Sequence, residues 1–387
     1  MSIMIDEAYL TQTLVDLVQI DSRNPSLTPG VPGEAEIGDY IAQALRQLGL
    51  DVEIEELAPS RVNVIGTLKG AGNGRSLMLN GHMDTVNTDD MIQPFSGEIR
   101  DGNLYGRGAL DMKGSLAAML AVTKAIKESG TALQGDLILT FVADEEHASI
   151  GSAAIVEKYR ADAVIVTEPT GVRIRRAHLG FIWFEVKTVG LAAHGSRYQK
   201  GIDANMRMGR FLAKLDQLEK ELRSRTPDPL CGPPSLHAAK LQGGTENSTY
   251  ASECTLLVEW RMTPGQTEAG CRAELQAIID ALAQEDDTFQ ATITTQLARP
   301  PYAVPADIDI IQTLEGVFEK HVGRKPVHVG SRGWTDAALF YQAGMDAFLF
   351  GPNGGGAHAK EEWVDLQSVK HVAAILLETA VRFCGTA

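Results

Sequence analysis

Short apolar runs bounded by Gly, Asp or Asn alternate with helical-period segments through the first part of the chain, and this alternation limits the fold more than any other feature. The runs "NVIGTL", "SLMLNG", "GDLILTFVAD" and "ADAVIVTE" have the length and flanks of buried strands. "AYLTQTLVDLVQI" and "EAEIGDYIAQALRQLGL" carry apolar residues at helical spacing, and "MKGSLAAMLAVTKAIKESG" reads as an Ala-rich helix stopped by Gly130. Strands that alternate with helices pack as a layered α/β core.

From about Arg176 the character changes. "FIWFEVKTVG" alternates, "ANMRMGRFLAKLDQLEKELRS" is a long amphipathic helix, and "STYASECTLLVEWRM" and "FQATITTQLA" are strands around the helix "EAGCRAELQAIIDALAQ". The Pro-rich "ARPPYAVPAD" marks a return, after which "DIDIIQTLEGVFEKHVG", "DAFLFGPNGGGAHA" and "SVKHVAAILLETAVRF" resume the first pattern. A chain of 387 residues is long enough for two domains. The expected division is a first domain of residues 1–176 and 297–387, with residues 177–296 inserted in it as an α+β unit.

A formal net charge of −15 disfavours nucleic acid or an anionic membrane as partner, since both favour a basic face. No apolar run approaches the ~20 residues of a membrane span, and "MSIMIDEAYL" lacks the pattern of a secretory leader. The four cysteines are scattered without CxxC spacing, which suits reduced thiols and a cytoplasmic location.

Five segments place His or carboxylate at the ends of these runs. His82 and Asp84 follow "SLMLNG", Asp111 precedes the Ala-rich helix, Glu145 and Glu146 follow "LILTFVAD", Glu168 ends "AVIVTE", and His358 lies in the Gly-rich loop after "DAFLF". In an open α/β sheet, residues at the carboxyl ends of neighbouring strands converge although they are distant in sequence. Carboxylates crowded in one cleft repel unless a cation holds them. Two His with several Asp and Glu suit zinc, with cobalt or manganese as alternatives, and the absence of Cys points away from a structural zinc site. Singly, each residue has an ordinary explanation as a helix cap, a core histidine or a turn. Their joint occurrence in this order is what points to a catalytic metal site.

"GHMDTV", "GRGALDMKGSLAA", "DEEHASIGS", "TEPTG", "AAHGSRYQKGIDA" and "GPNGGGAHAKEEWV" together resemble the successive motifs of the cocatalytic-zinc metallohydrolases. That family includes acetylornithine deacetylase, succinyl-diaminopimelate desuccinylase, aminoacylase-1 and glutamate carboxypeptidase. The resemblance runs over nearly the whole chain. It implies a zinc-exopeptidase-like α/β catalytic domain interrupted by a ferredoxin-like α+β lid that makes a homodimer.

Carried over to this sequence, the resemblance implies two divalent metal ions. His82 and Glu168 would hold one, Glu146 and His358 the other, and Asp111 would bridge them. Asp84 would orient the His82 imidazole, and Glu145 would be the general base. The peptide after the bridging residue, Asp111–Met112, would be cis. In the inserted domain His194 would reach the oxyanion from the neighbouring subunit, and Arg261 and Asn247 would bind the substrate carboxylate or carbonyl. Gly355, in the run Gly354 to Gly356, would let substrate backbone approach closely. The implied substrate is a small N-acyl amino acid, with a dipeptidase or carboxypeptidase activity as the alternative. A catalytically silent binder is a third reading, which the presence of Glu145 opposes. Three departures fall on substrate-facing segments: Asn87 after "HMDTV", "HGSRY" in the lid, and Trp334 before Thr335 and Asp336.

Overall fold

The computed structural model describes residues 3–386; Met1, Ser2 and Ala387, where the expected first domain begins and ends, lie outside that range. The chain forms two units, one of residues 3–176, 304–329 and 335–386, the other of 177–303 and 330–334.

The first unit is built on a mixed sheet whose strands include, in spatial order, Asp51–Ala58, Arg61–Leu68, Leu137–Val142, Leu77–His82, Ala163–Val166, Asp346–Leu349 and Ile174–His178, the last running two residues past the unit's boundary at 176. The central strands are parallel: Leu77–His82 pairs with Leu137–Val142 on one side and with Ala163–Val166 on the other, and Ala163–Val166 pairs with Asp346–Leu349. Continuous apolar sequence is what burial on both faces demands, and every residue of Leu77–His82, Leu137–Val142 and Ala163–Val166 is buried. Because these strands point the same way, His82, the Glu145–Glu146 turn and Glu168 all emerge at one edge.

The helix Gly114–Ser129 is apolar on most of its circumference, as a helix buried all round requires, and it ends at Gly130 with the left-handed φ of 69°. It packs very close to the strand that ends in His82. A Cβ on Gly81 would lie 2.6 Å from Leu116 Cδ2, so glycine at this position sets the height of the Asp111 turn, at the helix start, over His82. The edge strand Asp51–Ala58 escapes sequence patterning because Asp51, Glu53, Glu55 and Glu56 interrupt its apolar residues and none of its residues is buried. Charge on a sheet edge resists pairing with another chain.

The second unit has the element order β-α-β-β-α-β: Gly180–Val189, helix Ala204–Ser224, Ser235–Gly243, Glu253–Met262, helix Glu268–Glu285 and Gln290–Arg299. Its antiparallel sheet runs Ser235–Gly243, Glu253–Met262, Gly180–Val189, Gln290–Arg299. This is the ferredoxin-like arrangement. Alternate residues Ile182, Phe184 and Val186 meet Leu256, Val258 and Trp260 and the helix residues Phe211 and Leu275 in one core. Two details differ from the sequence expectation. The strand Ser235–Gly243 is exposed beyond Leu236 and so lacks an apolar signature. The strand expected from Ser248 begins at Glu253, because Thr249 bridges to His194 and the Tyr250 N–H bonds the Ala193 carbonyl.

Candidate metal centre

His82 ends its strand wholly enclosed, and its Nδ1 lies 2.9 Å from the backbone carbonyl of Asp84. With Nδ1–H donating to that carbonyl, a neutral ring would present its lone pair at Nε2, the nitrogen a metal ion would bind. Nε2 faces Asp111 Oδ1 at 3.1 Å and Glu168 Oε1 at 3.6 Å. The other Asp111 oxygen, Oδ2, stands 3.4 Å from His358 Nε2, which is also 3.1 Å from Glu146 Oε2. Asp111 thus turns one oxygen toward each histidine. It sits in the irregular turn Ala109–Lys113, and the Asp111–Met112 peptide is cis.

Glu145 and Glu146 follow a sharp reversal. Asp144 takes a φ of 68°, and its carbonyl accepts the N–H groups of His147, Ala148 and Ser149. The turn sends adjacent carboxylates to different neighbours: ligand atoms of Glu145 cluster within 4.8 Å of those of His82 and Glu168, and those of Glu146 within the same distance of His82 and Asp111.

The electrostatics call for positive charge. Burial, reinforced by Glu168, pushes the Glu145 carboxyl well above the usual carboxylate range. Burial and then Asp111 push Glu168 up to about 8. Burial works against an imidazolium at His82, yet Asp111, Glu168 and Glu145 outweigh it and favour the charged ring. Hydrogen bonds to Asp111 and Glu146 hold His358 up at about 10. A divalent cation satisfies the same demand without protons. Two ligand atoms each ~2.1 Å from a zinc-sized ion at a tetrahedral angle are about 3.4 Å apart, and the separations of 3.1 to 3.6 Å above match that spacing. The donor set fits two metal ions.

Behind the centre lies a buried polar network that the sequence did not reveal. The Asp84 carboxylate stands 3.6 Å from His82 Nδ1, beyond hydrogen-bond reach, and accepts three donors: Asn24 Nδ2 at 2.7 Å, the Glu145 N–H at 3.1 Å and the Glu146 N–H at 3.2 Å. Asn24 also donates to Asp144, which is paired with Arg61 at 2.7 Å, and Arg61 forks onto the buried Glu34. Asp84 therefore shapes both the His82 loop and the turn that carries two carboxylates. Asp84→Asn should weaken metal binding by ~10 to 100-fold, the scale of losses from groups that support ligands. Unchanged affinity in a chelator competition would reduce Asp84 to a loop residue.

The remaining expected site residues fall elsewhere. His194, Asn247 and Arg261 belong to the second unit. The loops of the first two are joined, with the Gly195 N–H on the Ser248 carbonyl at 2.7 Å. His194 is exposed, with Nδ1 2.9 Å from the Ser196 hydroxyl. The Arg261 guanidinium is paired with Glu259 at 2.6 Å and lies over the Phe181 ring. Trp334 donates to the Pro300 carbonyl and stands edge-on to His178, a packing role within the second unit. In the first unit, Gly354 and Gly355 pair with Val364 and Trp363. A Cβ on Gly356 would strike the Glu361 carbonyl oxygen at 1.8 Å. The chain's own hairpin thus requires glycine here.

The family model "Peptidase family M20/M25/M40" matches residues 78–382. The chain belongs to peptidase family M20/M25/M40. Acetylornithine deacetylase of Myxococcus xanthus is 30% identical over 390 residues, 97% of this chain and 98% of the relative. Among solved structures, aminopeptidase PepT of Bacillus cereus superposes with a TM-score of 0.82 at 20% identity, covering 99% and 100% of the two chains. The YXEP protein of Bacillus subtilis, described as a dinuclear metal-binding M20 peptidase, gives 0.75 at 16% identity, with 97% and 98% covered. As a member of this family the chain is a metallohydrolase acting on an amide or peptide bond. No helix among the described residues is long and apolar enough to cross a membrane.

Proposed function

We propose that the enzyme hydrolyses the amide bond of an N-acyl amino acid, in the manner of a deacetylase or desuccinylase. The observation that carries the chemistry is Asp111, with one oxygen toward His82 and the other toward His358. The reading assigns His82 and Glu168 to one ion, Glu146 and His358 to the other, and Asp111 to both. Two divalent ions held there, zinc first with cobalt or manganese as alternatives, would polarise the amide carbonyl and make a water acidic. Glu145, adjacent to this set, takes the proton of the attacking water as its oxygen bonds to the carbonyl carbon. The same carboxyl then delivers the proton to the amine nitrogen as the C–N bond breaks, leaving a carboxylate and a free amine.

The second unit serves in this reading as the lid and the contact of a homodimer. His194 donates to the developing oxyanion from the neighbouring subunit, and Asn247 and Arg261 receive the substrate's carbonyl and carboxylate, Arg261 through its planar fork. Gly355 offers its backbone to the substrate. An oxyanion donor contributes 10² to 10³ in kcat, so His194→Ala should lose about that factor with metal content intact. His194→Ala and Glu145→Gln proteins, unfolded and reassembled together, should then regain activity in mixed dimers. Mixed dimers without activity would place His194 outside the neighbour's site. All four cysteines are free and buried, which suits the cytoplasm.

The acyl-amino-acid reading rests on the likeness to acetylornithine deacetylase, which at 30% exceeds the likeness to the solved peptidases. The test is a panel of N-acetyl, N-succinyl and N-formyl amino acids and dipeptides, assayed with zinc or cobalt. An N-acyl amino acid should show the highest kcat/KM. Preference for a dipeptide would establish the dipeptidase or carboxypeptidase alternative instead.

A further inference from the structure

We propose that the buried Arg107–Glu362 pair is a positioning device for the metal centre, holding the Asp111 turn, the loop after Asp84 and the loop of His358 in register. This rests on the reading of Asp111 and His358 as ligands. Glu362 is 1% exposed and Arg107 3%. The Glu362 carboxylate is saturated: Oε1 accepts the N–H groups of Leu110 and Asp111, each at 3.0 Å, and Oε2 accepts the Gly108 N–H at 3.0 Å and Arg107 Nη1 at 2.6 Å. One carboxylate thereby fixes the backbone on the approach to Asp111. The other arms of Arg107 reach two further segments, with Nε donating to the Asn87 carbonyl at 2.8 Å and Nη2 to the Ala359 carbonyl at 2.9 Å. Asn87 lies three residues after Asp84, and Ala359 follows His358.

The His358 loop depends on this anchor. Residues 357–361 are exposed, and His358 itself takes a left-handed φ of 60°. Apart from the His358 side chain itself, two further ties of this loop to distant segments, Lys360 to Asp90 and Glu361 to Arg100, are ion pairs between largely exposed side chains, and such pairs contribute little. A buried ion pair is weak evidence for stability, because apolar residues of similar volume often serve as well. Apolar residues cannot donate to carbonyls on two loops and accept three amides of a third, which is the arrangement here.

The two halves of the pair have separable effects. Arg107→Lys keeps the buried charge but drops the bonds to Asn87 and Ala359, so it should weaken chiefly the ion on the His358 side, by ~10 to 100-fold. Glu362→Gln disturbs the Asp111 backbone and should weaken both ions. Binding is read by chelator competition and by the visible spectrum of the cobalt-loaded protein, with circular dichroism and Tm reporting the fold. The supporting result is a folded variant with these losses and a changed cobalt spectrum. Folded variants with parental metal affinities and spectrum would overturn the inference, and unfolding of both variants would show the pair to be structural only, which also overturns it. Failure of the underlying reading looks different: Asp111→Ala or His358→Ala would then retain two ions.

Discussion

Asp111→Ala should abolish binding of both metal ions and bring activity to background, the largest effect expected of any single change in this chain. The residue is 3.1 Å from His82 Nε2 through one oxygen and 3.4 Å from His358 Nε2 through the other, so its removal takes a ligand from each ion at once. The loss should exceed the ~10 to 100-fold of a supporting residue such as Asp84. The fold should persist, because the Asp111 side chain is not part of the apolar core and the turn is held through its backbone by Glu362. Chelator competition on protein with a parental circular dichroism spectrum measures the effect. Two ions still bound with near-parental affinity would refute the bridging role.

Glu145→Gln should lower kcat by about 10² to 10⁴-fold, the usual contribution of a general base, while bound metal stays close to the parental amount. The substitution keeps shape and volume and removes the proton acceptor. Its backbone remains anchored, since the Glu145 N–H bonds Asp84 and is unaffected by the side chain. Comparison with Glu146→Gln separates the two neighbours: Glu146 lies 3.1 Å from His358, and its loss should weaken metal instead. If Glu145→Gln kept most of its turnover, the base would have to be sought elsewhere; if it lost metal as Glu146→Gln does, Glu145 would be a ligand.

The alternation of apolar strands with helical-period segments follows from residue type over windows of a few turns, so the layered α/β core and the α+β character of the segment after Arg176 are legible from the sequence. The convergence of His82, Asp111, Glu145, Glu146, Glu168 and His358 is legible for a related reason. Parallel strands bring their carboxyl ends to one edge, and each of these residues lies at or just beyond such an end or in a loop beside it. The strands Asp51–Ala58 and Ser235–Gly243 are not legible, because an exposed edge has no need of apolar residues and leaves no period to detect.

The supporting groups are decided only in three dimensions. Arg61 meets Asp144 across 83 residues of chain, and Arg107 meets Glu362 across 255. In the sequence these are ordinary charges with no periodicity, and nothing local distinguishes a solvated Arg from one whose donors are all taken by distant carbonyls. Asp84 shows the same limit: its offset from His82 suggests a partner for the ring, whereas the fold gives the ring the Asp84 backbone carbonyl and lends the carboxylate to the Glu145–Glu146 turn. Residue type and spacing determine which segments can form strands and helices and which side chains can carry the chemistry; which buried polar atom meets which depends on the packed backbone, because a hydrogen bond is directional and ends within about 3 Å.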